Sequence, residues 1–338
     1  MANIFLTRKC NLKCPYCFAD EFVNKENQEF TLENFKTVLN FIKQDKNERI
    51  GLIGGEPTLY PYFQQILNLL NNDSKINSYI IYTNGIEIDK YIESLVNNKA
   101  YLLINCNSPI DISTKYNKLK ENISLLASKN IKNFDIGINL YSMNFNYSYI
   151  FDLLKIANKN NLRFSTSLPN TEKEITVNSL KMFREFKPFL FKFFDDCIKN
   201  NIFPYNDCNA IPTCLLDKND KLKLIKLKRL ADKYNINCNP ISSETCTPII
   251  DILPDLNAVR CFGLSKYLKV PITNFKNIGQ LRRYFYNKID IYTLLSFASS
   301  NCEDCKSRIY EKCGLCLTYK INQSNKIKNF VIENAIEE

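Results

Sequence analysis

The sequence predicts an α/β protein in which a parallel sheet of six strand–helix units curves without closing and a small Cys-rich α+β unit follows. Three observations predict it. Short apolar runs alternate with helical patterns six times in the first half of the chain. Each of those runs ends in Cys, Gly, Asn, Ser or Thr, polar ends that core packing does not explain. Ten of the 14 Cys gather in one N-terminal loop and in the C-terminal third.

Taken in order, residues 2–7 alternate with apolar bias and read as strand one, and a loop with Cys10, Cys14 and Cys17 follows directly. Thr31 caps a helix that carries Leu32, Phe35, Val38, Leu39 and Ile42 on one face. Residues 48–53 read as strand two, which ends in Gly54-Gly55-Glu56-Pro57. Pro61 starts the next helix, with Phe63, Ile66, Leu67 and Leu70. Strand three, residues 78–83, ends in Asn84-Gly85, and a helix over 89–97 leads to strand four, residues 101–105. A helix over 111–129, strand five over 134–140, a helix over 149–160 and strand six over 162–167 complete the set. Parallel strands with right-handed crossovers gather chemistry at their C-terminal ends, so the Cys loop, Gly54-Gly55, Asn84, Asn105-Cys106-Asn107-Ser108, Asn139 and Ser167 should ring one mouth.

After Ser167 the repeat is expected to stop. A helix over 174–200 carries Phe183, Phe186, Phe189, Leu190, Phe193 and Phe194, a core or interface stripe. Cys208 and Cys214 lie in the loop that follows, and residues 218–229 read as an amphipathic helix with a basic outer face. Composition then shifts to Cys and Pro, with short strands over 249–253 and 258–261. The expected division is residues 1–185 as barrel, 186–235 as helical connector and 236–338 as the Cys-rich unit.

The chain of 338 residues is long enough for a large core, and 45% of it is hydrophobic. No apolar run reaches the roughly 18 residues that span a bilayer, and the N-terminus lacks the basic segment of a signal peptide, so no membrane is expected and a cytoplasmic setting is inferred. The net charge of +10 reads as dispersed, solvated Lys faces, which argues against a nucleic-acid partner. In a reducing compartment, clustered Cys bind metal more often than they pair, and exposed clusters favour an anaerobic host.

Cys10, Cys14 and Cys17 can close on one metal centre by themselves. Three ligands on a four-iron cluster leave one iron open, which chemistry needs. Zinc is the rival, but structural zinc takes four ligands, no fourth Cys lies nearby, and the chain has no His.

The spacing Cys-x3-Cys-x2-Cys, with Tyr16 before the last Cys, resembles the radical S-adenosylmethionine (SAM) family, and the turn Gly54-Gly55-Glu56-Pro57 matches that family's second motif in order and spacing. The resemblance implies a partial (β/α)6 TIM-type barrel. It also implies a [4Fe-4S] cluster on Cys10, Cys14 and Cys17, whose open iron takes SAM. Tyr16 and Phe18 should then lie near the adenine. Gly54, Gly55, Glu56 and Pro57 should meet the methionine amino group. Asn84, Asn105, Ser108, Asn139 and Ser167 are candidates for further SAM contacts.

Cys302-x2-Cys305 and Cys313-x2-Cys316 fit a zinc ribbon about as well as an iron–sulfur site when taken alone. Beside the first motif, their order after Cys246 and Cys261 resembles the SPASM and Twitch auxiliary-cluster extensions. That implies one or two auxiliary [4Fe-4S] clusters. Cys246, Cys261, Cys302 and Cys305 would form the Twitch set, Cys313, Cys316 and Cys238 would join a longer version, and Cys208 or Cys214 would serve as outside ligands. The pattern's Gly is replaced by Leu256, and Phe262 stands where sulfatase-maturing relatives have Asp. With no His, Asp251, Asp255 and Arg260 are the nearby proton-handling candidates. Family members of this build often modify peptides or proteins. The implied partners are therefore a short precursor peptide and a reductant such as flavodoxin or ferredoxin, with no leader-binding domain ahead of strand one. A small-molecule substrate and a non-catalytic iron–sulfur carrier or sensor are the alternatives.

Overall fold

The computed structural model describes residues 1–25, 29–45, 48–96, 99–167, 179–241, 246, 249–291 and 316–318. Within them ten strands form one sheet in the order β10-β9-β8-β1-β2-β3-β4-β5-β6-β7. β1 (Ala2–Phe5), β2 (Ile50–Ile53), β3 (Tyr79–Thr83), β4 (Ala100–Asn105), β5 (Phe134–Leu140) and β6 (Asn161–Thr166) are the six expected strands, all parallel.

Between them run α1 (Leu32–Ile42), α2 (Phe63–Asn72), α3 (Ile92–Leu95), α4 (Pro109–Ile112), α5 (Lys115–Ser128) and α6 (Tyr149–Ala157). Thr31 caps α1 as expected, its hydroxyl accepting from the Asn34 N–H at 3.0 Å. The helix expected over 111–129 is instead two pieces. Ser108 caps α4 with Pro109 in its first turn, and Ser113 leaves helical geometry at φ 37°. Asn158, in the left-handed conformation, ends α6 earlier than the periodicity suggested.

The repeat does not stop at Ser167. α7 (Ser179–Lys199) leads to β7 (Phe203–Cys208), which pairs in parallel with β6. Pro204, Asn206 and Asp207 made this segment read as a loop, yet Pro is tolerated in a strand at a sheet's edge. The aromatic stripe of α7 is core: Phe183, Phe186, Leu190, Phe193 and Phe194 are buried. α8 (Lys218–Lys233) opens on a capping box between Asp217 and Asp220. Leu227 and Ala231 face inward, whereas Leu222 and Ile225 are exposed, so its apolar face is narrower than expected.

β8 (Ile250–Ile252) pairs in parallel with the far side of β1, and β9 (Asn257–Val259) and β10 (Lys269–Pro271) continue antiparallel. Asn3 therefore sits between Gly51 and Asp251. Gly51 has no room for a side chain, because a Cβ there would lie 2.0 Å from the Asn3 side-chain oxygen. Leu256, in place of the Gly that the resemblance calls for, takes φ 60° in the turn between β8 and β9. The turn keeps its left-handed geometry, at a cost of about 1–2 kcal/mol in a residue with a Cβ. α9 (Ile278–Phe285) packs through Ile278, Leu281 and Phe285. No helix among the described residues is long and apolar enough to cross a membrane.

Candidate active site

The loop after β1 is held by the loop after β2. The Gly55 N–H donates to the Thr7 carbonyl at 2.7 Å, and the Glu56 N–H donates to the Lys9 carbonyl at 2.8 Å. A Cβ at Gly54 would come within 2.7 Å of the Thr7 carbonyl oxygen, and one at Gly55 within 2.3 Å of that of Lys9. Both glycines are needed because two backbones touch here.

Cys10, Cys14 and Cys17 are half-buried on this braced loop. Burial pushes the Cys14 thiol up to about 12, with neighbouring Cys10 and Cys17 adding to the rise. Burial raises Cys10 as well, the Leu12 N–H lowers it, and Glu56 and Cys17 raise it further. The three thiols thus crowd one another electrostatically, a state relieved when thiolates bind cationic iron. The amide nitrogen of Asn11, inside the same loop, is buried with no hydrogen-bond partner among the described residues. The donor set and its crowding fit an iron–sulfur cluster. Among the described residues no three Cys, Asp or Glu side chains close up tightly enough for a single metal ion.

The expected ring of polar strand ends is continuous. Asn105 on β4 donates to the Tyr16 hydroxyl at 3.0 Å, Asn139 on β5 donates to Asn105 at 2.8 Å, and the Ser167 hydroxyl donates to Asn139 at 2.8 Å. Asn107 accepts from both the Cys14 thiol and the Tyr16 hydroxyl. It lay in the polar run after strand four without an assigned role. Asn84 donates to Asn11 at 2.7 Å, and Lys115, also missed, donates to the Asn11 carbonyl.

Three expected contacts have protein partners instead of a free edge. Glu56 is 1% exposed, and its carboxylate accepts from the Thr58 N–H and hydroxyl, the Thr83 hydroxyl and the Asn84 N–H at 3.2, 2.7, 2.7 and 2.7 Å. Burial holds its pKa above the usual carboxylate value even so. Pro57 is buried in the short turn that Glu56 caps. Ser108 is occupied in capping α4 through Asp111. Phe18 remains 68% exposed, its ring 5.4 Å from that of Phe262. Phe262 also packs on Phe5 and Phe22, which joins the three-Cys loop to the segment just after Cys261.

Of the second Cys group, Cys246 and Cys261 lie together around Arg260, whose Nη2 donates to the Cys246 carbonyl at 3.0 Å. Cys238 lies elsewhere, buried in the core with its thiol 3.4 Å from the Pro204 carbonyl. Cys106 and Cys197 are buried in the apolar core. Cys214 sits exposed on the turn Thr213–Leu215. Cys302, Cys305 and Cys313 lie outside the described residues.

The parallel sheet with a three-thiol loop at the C-terminal end of its first strand defines an α/β protein of partial-barrel type. Residues 4–157 match the Radical SAM superfamily. In sequence the chain is 31% identical over 83 residues to 7-carboxy-7-deazaguanine synthase of Clostridium acetobutylicum, covering 25% of this chain and 37% of that protein. It spans between about a quarter and a little over half of the length of the curated relatives it matches. In fold it resembles Streptococcus suis SuiB bound to S-adenosylmethionine, with a TM-score of 0.64 and 12% identity over 97% of this chain and 75% of that one. It likewise resembles anSMEcpe with bound AdoMet and Cp18Cys peptide, with a TM-score of 0.63 and 17% identity over 99% and 97% of the two chains.

Proposed function

We propose that this protein is a radical SAM enzyme that takes a hydrogen atom from a peptide or protein substrate and so installs a crosslink or an oxidation. The observation that carries the reading is the placement of Cys10, Cys14 and Cys17, half-buried, on a loop after the first strand that Gly55 and Glu56 brace. When bound, a [4Fe-4S] cluster with SAM supplies an electron that breaks the C5′–S bond, and the resulting 5′-deoxyadenosyl radical abstracts hydrogen. The chain's own residues position and shelter that chemistry. Cys10, Cys14 and Cys17 hold the iron and leave one coordination position open. Glu56 acts from behind: its carboxylate locks the ends of β2 and β3 together, so the Gly54 and Gly55 carbonyls are the groups left to meet the methionine amino group. Phe18 offers an exposed ring for the adenine. The Tyr16–Asn105–Asn139–Ser167 chain fixes a row of amides along the mouth.

The peptide substrate is supported by the likeness in shape along nearly the whole chain to two proteins, one of which is described with a bound Cp18Cys peptide and the other with a precursor peptide. A small-molecule substrate is the second reading, supported by the name of the deazaguanine synthase that matches a quarter of this chain. A low-potential flavodoxin or ferredoxin would supply the electron.

The test is anaerobic reconstitution followed by reduction with SAM present. The reading expects 5′-deoxyadenosine, and no cleavage by a protein with intact clusters would sink it. Deuterium transfer into 5′-deoxyadenosine from deuterated candidate peptides, but not from small heterocycles, separates the two substrate readings.

A further inference from the structure

Arg163 stands on the face of the sheet turned away from α7. Its strand β6 alternates: Leu162, Phe164 and Thr166 are buried, and the Phe164 ring packs against Phe193 and Phe194 of α7. Asn161, Arg163 and Ser165 therefore face the opposite way. Register places Arg163 in one row with Asn105 on β4, Gly137 on β5 and Tyr205 on β7. The next row toward the C-terminal ends of the strands sets Asn139 beside Ser165, and Asn139 belongs to the polar chain that starts at Tyr16. Arg163 thus lies one row inside the mouth. In the row beneath it, Asn161 donates to Asp135.

The guanidinium is held in one pose. Its Nε donates to one oxygen of Asp207 at 3.1 Å and its Nη2 to the other, while its carbon lies 4.2 Å from the centre of the Tyr205 ring. The pair stays reachable, with 31% of the Arg163 side chain and 24% of that of Asp207 exposed. Asp207 occupies only one edge of the fork. The other edge, Nη1 with the second hydrogen of Nη2, has no hydrogen bond among the described residues. Such an edge matches the two oxygens of a carboxylate.

Gly137, next in the row, has no structural need to be glycine. Its backbone is not left-handed, and both ladders run through it without a bulge. A Cβ there would meet nothing closer than 3.6 Å, whereas one at Gly54 or Gly55 would come within 2.7 Å of a backbone oxygen. A glycine inside a strand costs stability and marks a bulge, a closely crossing backbone or a ligand that comes near. Among the described residues the first two are absent at Gly137, which leaves the ligand.

We infer that the free edge of Arg163 takes a carboxylate of the substrate, that Gly137 leaves room for it, and that Asp207 and Tyr205 are positioning residues which hold the fork ready. This rests on the reading above only in setting the substrate at the mouth. For a peptide, the carboxylate belongs either to an acidic side chain or to the end of the chain.

The experiment follows small probes by saturation-transfer NMR on the full chain, reconstituted anaerobically and loaded with SAM. N-acetylglutamate α-amide carries the side-chain carboxylate, N-acetylalanine the chain-end carboxylate, and N-acetylglutamine α-amide is the neutral control. One of the first two should bind at least about tenfold better than the control, and which of them binds names the source. Arg163→Gln combined with Asp207→Asn, which leaves no orphaned charge, should weaken that probe by about tenfold while SAM still binds. Gly137→Val should weaken the probe and keep the melting temperature of the parent, as a purely structural glycine would not. Control binding equal to that of the carboxylates, or no binding of either carboxylate, overturns the proposal. Loss of SAM binding in the double variant gives the fork to SAM's own carboxylate and overturns it too. A lowered melting temperature in Gly137→Val overturns the part given to that glycine. SAM cleavage by the parent protein is measured alongside. Its failure beside a probe that binds through Arg163 would sink the enzyme reading and support the carboxylate site.

Discussion

The Gly55 N–H and the Thr7 carbonyl meet at 2.7 Å, so the loop that carries three cysteines is stitched to the turn that follows the second strand. A second bond, from the Glu56 N–H to the Lys9 carbonyl at 2.8 Å, lies beside it. The two motifs are one structural unit, although more than thirty residues separate them.

Gly55→Ala tests the stitch. Its Cβ would lie 2.3 Å from the Lys9 carbonyl oxygen and 2.9 Å from that of Arg8, both backbone atoms that cannot swing away. The expected cost is about 1–3 kcal/mol of stability, together with a loss of up to about four irons per chain. Thermal unfolding and iron analysis check it, and a variant with full iron and unchanged stability would show the contact to be slack.

Glu56→Gln tests the brace. The carboxylate faces four donors, and an amide would turn one of its oxygens into a further donor. At least one buried N–H or hydroxyl then loses its acceptor, which costs about 2–3 kcal/mol for a bond to a charged group. Urea unfolding reads the loss. A neutral result would mean that the site takes up water in place of the lost bond.

Tyr16→Phe breaks the polar chain at its first link, leaving Asn105 and Asn107 each short of a partner. Stability should drop by about 1 kcal/mol. Iron content should hold, while 5′-deoxyadenosine formation slows by about tenfold for each 1.4 kcal/mol of lost positioning. Equal losses of iron and of turnover would instead place Tyr16 in the support of the cluster.

Asp251 carries a pH signature. It is buried, and burial raises its pKa from 3.8 to about 6 despite hydrogen bonds from Asn3 and the Phe262 N–H and the nearby charge of Arg260. The folded protein then keeps a proton that the unfolded chain has already released. Stability should therefore fall as pH rises from about 4 to about 6 and level off above, with a total change of up to about 3 kcal/mol from this group. Asp251→Asn should remove that slope while leaving the slopes of other groups. Matched unfolding curves for the two proteins over this range would refute the assignment.

Local pattern made much of the barrel legible. Strand six differs from its expected span by one residue at either end, strand five by none, and the cap at Thr31 is short-range chemistry. The polar ends of strands four to six were visible as Asn105, Asn139 and Ser167, though not the chain of bonds that joins them. β7 was hidden because Pro204 and the Asn206-Asp207 pair are turn formers, and only an edge position makes such a strand viable. Glu56 shows a different limit. A Glu in a turn reads as free to meet a ligand, and only the packed structure reveals four donors already upon it.

Residue spacing by itself determined the three-thiol loop, the glycine turn and the order of strands one to six, because each depends on neighbours a few positions away. Tertiary structure alone decided which edge β8 joins, since Asn3 finds Asp251 across 248 residues. It alone separated Cys238, bonded to the Pro204 carbonyl, from Cys246 and Cys261 beside Arg260. Spacing rules count along the chain, whereas pairing across a sheet joins residues that the chain holds far apart.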